Sequence, residues 1–272
     1  MNFPKITSPS NAQIKEAVVI RETGRKKGHS TFIIEGSHLI ESALNTGAEI
    51  DRVFFAGSFG SRREGRETLK MLSQKTRGIF EVTPRLLNKI ADTETPQGVV
   101  AVVTYFPPAL ENIRLEGPPL LVVADGIQDP GNLGAIIRTA DAAGADGVIL
   151  LPGTCDPFMA KTVRATAGSI FSIPIVHAEE IGLLEWLREK KIHLAVTAAD
   201  APLSIFTADL GLPVALVFGN EAHGVSETLR KAANLIAKIP IYGKAESLNV
   251  ATSAAICLYE AVRQRKSKAK PP

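Results

Sequence analysis

Residues 120–124, LLVVA, and 214–218, VALVF, are unbroken apolar runs of strand length. A strand with one wet face alternates apolar and polar side chains. A run without polar positions is that of a strand covered on both faces, as in parallel sheets flanked by helices. The pattern around these runs agrees. Helical spacing is read at 131–143, 158–165 and 181–190, with strands at 147–150, 173–176, 192–196 and 235–239. A closing helix runs from 248 to 265. Alternation of this kind predicts an α/β domain with a mostly parallel sheet.

A second alternation lies upstream. Helices are expected at 14–20, 37–44, 67–74 and 84–90, the last opening at Pro84, with strands at 32–34, 52–55, 79–82 and 99–103. Residues 57–65 read as a loop. This half is expected to form a smaller α/β sandwich. Between the halves, YFPPALENIRLEGPP (105–119) carries four prolines and little periodicity, so it reads as a linker.

At 272 residues, the chain can supply one large domain or two ordinary ones. No apolar run approaches the roughly 20 residues that span a bilayer. The N-terminal stretch lacks the apolar core of a secretory signal. Cys155 and Cys257 are the only cysteines. Both stand among apolar or small residues and read as buried thiols in a reducing compartment, so no metal site is expected and a cytoplasmic location is. The net charge of +3 hides an asymmetry: +4 over residues 1–105, −6 over 106–260 and +5 over 261–272. Basic ends on an acidic middle suggest an anionic partner. For Arg263, Arg265, Lys266, Lys268 and Lys270, a solvated tail is the competing reading.

Parallel α/β domains bind ligands beyond the carboxyl ends of their strands. Three unusual loops are expected there, at 125–134, 219–226 and 240–249. There is no G-x-G-x-x-G after a strand and no P-loop lysine, which disfavours a nicotinamide dehydrogenase and a P-loop ATPase. In the first loop Asn132 can act as a helix N-cap or a polar site residue. Arg138 stands among small and apolar residues, where it could pair with Asp141 or grip a phosphate. In the second loop Gly219 permits close backbone approach to a ligand. Glu221 could orient Arg138 or a substrate group, and His223 receives no role. In the third, Ser247, Leu248 and Asn249 open a run of small residues after the loop that follows Ile239.

The three segments NLGAIIRTA, VFGNEAHGVS and IPIYGKAESLNV, in this order, resemble the three motifs of the SpoU (TrmH-like) RNA 2′-O-ribose methyltransferases of the SPOUT class. The resemblance covers about residues 118–265. ITSPSNAQIK and GRKKGHSTFIIEG resemble the small RNA-binding domain that precedes the catalytic domain in many ribosomal RNA members. The division implied is an α/β/α substrate-binding domain at 1–105, a linker at 106–117 and a SPOUT domain at 118–272 with a deep trefoil knot.

The resemblance further implies S-adenosylmethionine as methyl donor, held by backbone at Gly219, Ile239 and Leu248. Asn132, Arg138, Glu221, Ser247 and Asn249 would be the polar active-site residues, in a homodimer acting on RNA, with ribosomal RNA favoured over transfer RNA. A guanidinium is a poor base, so Arg138 is expected to bind the phosphate beside the reacting hydroxyl, oriented by Asn132 and Glu221. Residues 197–212 hold no residue that the motifs explain. Lys161 and Arg164 are RNA contacts or solvated helix charges. A non-catalytic RNA-binding protein of the same fold and a small-molecule methyltransferase are the rival readings.

Overall fold

The computed structural model describes residues 3–23, 25–26 and 30–268. Part of the basic stretch 21–27 and Lys270 of the tail lie outside the described residues. The chain folds as two compact units, 1–106 with 158–171, and 107–157 with 172–272.

The first unit runs β1 (Lys5–Ile6), α1 (Ala12–Thr23), β2 (Arg25–Lys26), β3 (Ser30–Glu35), α2 (Ser37–Thr46), β4 (Glu49–Ala56), α3 (Gly57–Gly60), α4 (Arg63–Leu72), β5 (Gly78–Val82), α5 (Pro84–Ile90) and β6 (Val99–Tyr105). Its six-stranded sheet has the order β1-β5-β4-β6-β3-β2. The sheet is mixed: β1, β5 and β4 are parallel, while β6 lies antiparallel to β4 and β3. Ile14, Ile20, Phe54, Leu87 and Val100 share one of its cores. Arg52, on β4, donates to Gln13 and Glu16, both at 2.7 Å, and so pins α1 to the sheet.

Residues 57–65 are not the loop that their glycines and serines suggest. Phe59 is 3% exposed and anchors the short helix α3, and α4 starts by Arg63. Gly65 makes this contact close, since a Cβ there would lie 2.1 Å from the Phe59 carbonyl oxygen.

The short helix α7 (Ala160–Ala165) belongs to the first unit although it falls late in the chain. Phe158 lies against Phe32 and Tyr105, with ring centroids 5.0 and 5.1 Å apart. Arg164 is paired with Asp92 and stays exposed, a solvated helix charge with an ion-pair partner.

In the second unit come β7 (Leu120–Asp125), α6 (Pro130–Ala142), β8 (Gly147–Leu150), β9 (Ile175–His177), α8 (Glu180–Lys190), β10 (His193–Thr197), β11 (Leu203–Ser204), β12 (Val214–Gly219), α9 (Glu227–Ala232), β13 (Leu235–Lys238) and α10 (Val250–Lys268). The seven strands are ordered β11-β13-β10-β12-β7-β8-β9. Every pairing is parallel. β7 and β12, the two apolar runs, lie side by side at the centre and are buried on both faces. Chain order reverses between them, which opens a crevice at their carboxyl ends. The helix α9 and the short strand β11 were not evident from the sequence pattern.

The basic end of α10 is partly structural. Arg263 is bound through two nitrogens to Glu260 at 2.8 and 2.7 Å. Arg265 is half-buried and donates to the carbonyls of Pro118, Pro119, Leu210 and Leu212. It therefore fastens the closing helix to the strand entries of β7 and β12, and the solvated-tail reading does not hold for Arg265, while Arg263 stays 62% exposed on the helix surface. No helix among the described residues is long and apolar enough to cross a membrane.

Candidate active site

Beyond the carboxyl ends of β10, β12 and β13 lies a cavity of about 580 Å³. Gly219, Glu221, Ile239, Ser247, Leu248 and Asn249 all line it, so six of the eight residues expected at the site meet there. Asn132 reaches these residues through hydrogen bonds. Arg138 does not line the cavity.

The polar residues form a chain that ties three loops together. Asp129 caps α6, its Oδ1 accepting from the N–H of Asn132 at 2.9 Å, and Pro130 opens the helix. Asn132 is therefore not the N-cap, and its side chain is free for other work. Its Nδ2 donates to Glu221 Oε1 at 2.9 Å, and its Oδ1 accepts from Asn249 Nδ2 at 2.9 Å. Asn249 Oδ1 accepts from the N–H groups of Ala251 and Thr252 at 2.9 and 3.3 Å, capping α10. Glu221 also receives the N–H groups of Gln128 and Asp129, at 3.3 and 3.5 Å. Partial burial pushes the Glu221 carboxyl up. The bonds from Asn132 and from backbone N–H groups outweigh it and leave the group below the usual glutamate range.

Arg138 lies six residues after Asn132, about 240° further round the helix. It is exposed, and among the described residues it has no hydrogen-bond or ion-pair partner. Asp141 does not pair with it, and Asn132 and Glu221 hold each other in place of orienting it. A free guanidinium on a fixed helix is available to an anion from outside the chain.

Gly219 serves the loop itself. A Cβ there would lie 2.3 Å from both Gly224 C and Val225 N. The glycine thus lets residues 224–225 cross over the end of β12, where the sequence pointed to a ligand. Asn220, not expected at the site, holds this crossing. Its backbone exchanges hydrogen bonds with Gly224, its Oδ1 accepts from Ala222 and His223, and its Nδ2 donates to the Gly126 carbonyl at 2.7 Å. An Asn just before a turn that closes on glycine was the available signal. Asp125, buried at the end of β7, accepts from the Ser226 N–H at 2.7 Å, and Ser226 caps α9. Burial raises the Asp125 carboxyl above its ordinary range, against the opposing pull of that bond.

Ile239, Ile241, Ser247 and Leu248 line the cavity, and no hydrogen bond among the described residues engages the backbone of 239–248. Thr197 and Asp200 also line the cavity, so the segment 197–212, which the sequence motifs left without a role, contributes to the site.

A parallel α/β unit with a loop-built cavity at its strand ends, preceded by a smaller mixed-sheet unit, is the frame of a two-part enzyme. A family model described as "SpoU rRNA Methylase family" matches residues 119–259, and one described as "MRM3-like substrate binding domain" matches residues 11–101. The 23S rRNA (guanosine(2553)-2′-O)-methyltransferase RlmP of Bacillus subtilis is 33% identical over 257 residues, 94% of this chain and 98% of that protein. The 23S rRNA (uridine(2479)-2′-O)-methyltransferase of Streptomyces viridochromogenes is 32% identical over 269 residues, 96% and 92% of the two chains. The crystal structure of an AdoMet-bound rRNA methyltransferase from Sinorhizobium meliloti superposes with a TM-score of 0.84 at 33% identity, covering 95% of this chain and 97% of that one. The chain belongs to the SpoU rRNA methylase family.

Proposed function

We propose that this protein transfers the methyl group of S-adenosylmethionine to a ribose 2′-hydroxyl of ribosomal RNA. The observation that carries the reading is the cavity at the ends of β10, β12 and β13, lined by an unengaged backbone. Its volume suits a nucleoside-sized ligand. The open backbone groups of Ile239, Ile241, Ser247 and Leu248 are what a polar cofactor held by main chain needs. In this reading Gly219, Ile239 and Leu248 hold the adenosyl part. When bound, the donor supplies an already activated methyl group on a sulfonium.

The chain's own residues supply the positioning. The Asn249–Asn132–Glu221 chain braces the two loops and α6 as one rigid wall. Positioning of this kind can lower a barrier by about 7–11 kcal/mol. Arg138, exposed and without a partner among the described residues, binds the RNA phosphate beside the reacting hydroxyl and stabilises charge forming on its oxygen, while the hydroxyl proton passes to that phosphate or to water. Ser247, which lines the cavity and has no hydrogen-bond partner among the described residues, faces the ribose in this reading. The first unit presents the RNA.

A homodimer, a trefoil knot and a cytoplasmic location belong to the same reading. The knot is supported by the path of the chain, which leaves β13 beyond β10 and returns to pack α10 on α6 and β12. The dimer is supported by α10, on which Tyr259 is 52% exposed. The relatives differ in base, guanosine in one and uridine in another, so the ribose and not the base is the shared target.

Ribose-methylation mapping of total RNA from cells with and without the gene tests the proposal. A single site lost from ribosomal RNA is the expected result. A site lost from transfer RNA would move the substrate. An unchanged map, together with absence of S-adenosylmethionine binding in calorimetry, would leave a non-catalytic RNA-binding protein.

A further inference from the structure

The rim of the cavity carries one opposed pair of charges that the reading above does not use. Asp200 stands in the loop after β10, and Arg230 on α9. Both line the cavity. Arg230 Nη2 donates to Oδ1 and Oδ2 of Asp200, at 3.1 and 2.8 Å. The other two guanidinium nitrogens have no partner among the described residues. The Asp200 side chain remains 69% exposed and that of Arg230 36% exposed. Glu221, the remaining charged residue of the lining, is already committed to Asn132 and to two backbone N–H groups.

We infer that Asp200 and Arg230 form a clamp for the amino-acid end of the methyl donor, Arg230 taking the α-carboxylate and Asp200 the α-ammonium. The inference rests on the proposed donor. A zwitterion carries one charge of each sign, and here one charge of each sign projects from two different elements onto one rim. A ribose diol can donate to a carboxylate but carries no anion for the guanidinium, whereas the amino-acid end answers both charges. The position suits the ligand end that stays wet, since both side chains keep part of their surface in solvent. Exchange of partners is cheap, because an exposed ion pair is worth little by itself. With one nitrogen used on Asp200, the fork of Arg230 can receive a carboxylate while the pair persists. In the absence of donor the two charges face each other.

Calorimetry with three compounds tests the clamp on the full chain. S-Adenosylmethionine and S-adenosylhomocysteine carry the amino-acid end, and 5′-methylthioadenosine lacks it. Arg230→Gln and Asp200→Asn should each weaken the first two by about 10- to 100-fold, the loss of a charge-assisted contact. Methylthioadenosine affinity should stay within about twofold, which also reports an intact site. Equal weakening of all three compounds would overturn the clamp and place the pair against the adenosyl part or in the fold. Unchanged affinity of all three would overturn it as well. If wild-type protein binds none of them, the donor reading fails before the clamp is tested.

Discussion

Replacing Gly219 by alanine separates two roles for the residue. If Gly219 serves only to admit a ligand, Gly219→Ala lowers affinity and leaves the apo protein as stable as before. The structure predicts otherwise. The new Cβ would lie 2.3 Å from the Gly224 carbonyl carbon and the Val225 nitrogen, where ordinary contact begins at 3.4 Å. The gap must open by roughly 1 Å, and both obstacles are backbone, which cannot swing aside as a side chain can. Overpacking of this kind costs about 1–3 kcal/mol, and a backbone obstacle belongs at the upper end. The crossing is held by the Asn220–Gly224 bonds, so the cost extends to those.

Trp186 is the single tryptophan and lies in the core of the second unit, so its fluorescence in urea reports that unit. A loss of about 2 kcal/mol should lower the midpoint by about 1 M. Gly182→Ala is the control. Gly182 lies in α8 with open space around its Cβ position, and alanine should raise stability by about 0.5–1 kcal/mol. Equal midpoints for Gly219→Ala and wild type would refute the steric argument and return the glycine to a ligand-only role.

Three further outcomes are expected. Arg138→Ala should leave the stability read from urea unfolding within about 0.5 kcal/mol of wild type, because the side chain has no partner among the described residues, while methyl transfer to RNA measured with labelled donor falls about 100-fold or more. Arg138→Lys with nearly full activity across pH would sink the phosphate-fork account. Arg265→Ala should cost about 1.5–3 kcal/mol, read by Trp186 fluorescence, since four carbonyls lose a charged donor. For Glu221 the folded carboxyl titrates below its unfolded value, so its stabilising effect is present above about pH 4.3 and lost as pH falls through the folded value. The stability difference between wild type and Glu221→Gln should therefore hold constant from pH 8 to about 5.5 and shrink below about 4.3. A difference that does not change with pH across this range would assign the effect to shape.

Much of the architecture is written in local pattern. The buried runs that became β7 and β12, the helix opening at Pro84 and the proline-rich division between the halves follow from side-chain periodicity and fixed backbone angles. Where local signals mislead, a packing contact has overruled them. Small residues at 57–61 read as loop, yet the buried Phe59 ring holds them helical. Residues 158–171 follow the second alternation in the chain but pack into the first unit through Phe158.

The site divides in the same way. Residue type and order were enough to name a family, and through that resemblance to put forward Asn132, Glu221, Ser247, Asn249, Gly219, Ile239 and Leu248 as candidates. They could not say what these groups touch, because each contact crosses at least 89 residues of sequence in the Asn132–Glu221–Asn249 chain. Only the folded chain shows that these three side chains brace one another, that Arg138 stands apart and free, and that Asp200 and Arg230 meet at the rim. Periodicity reports which face of an element is buried. Hydrogen-bond partners and open charges depend on how distant loops converge at the strand ends, and that is decided by tertiary packing.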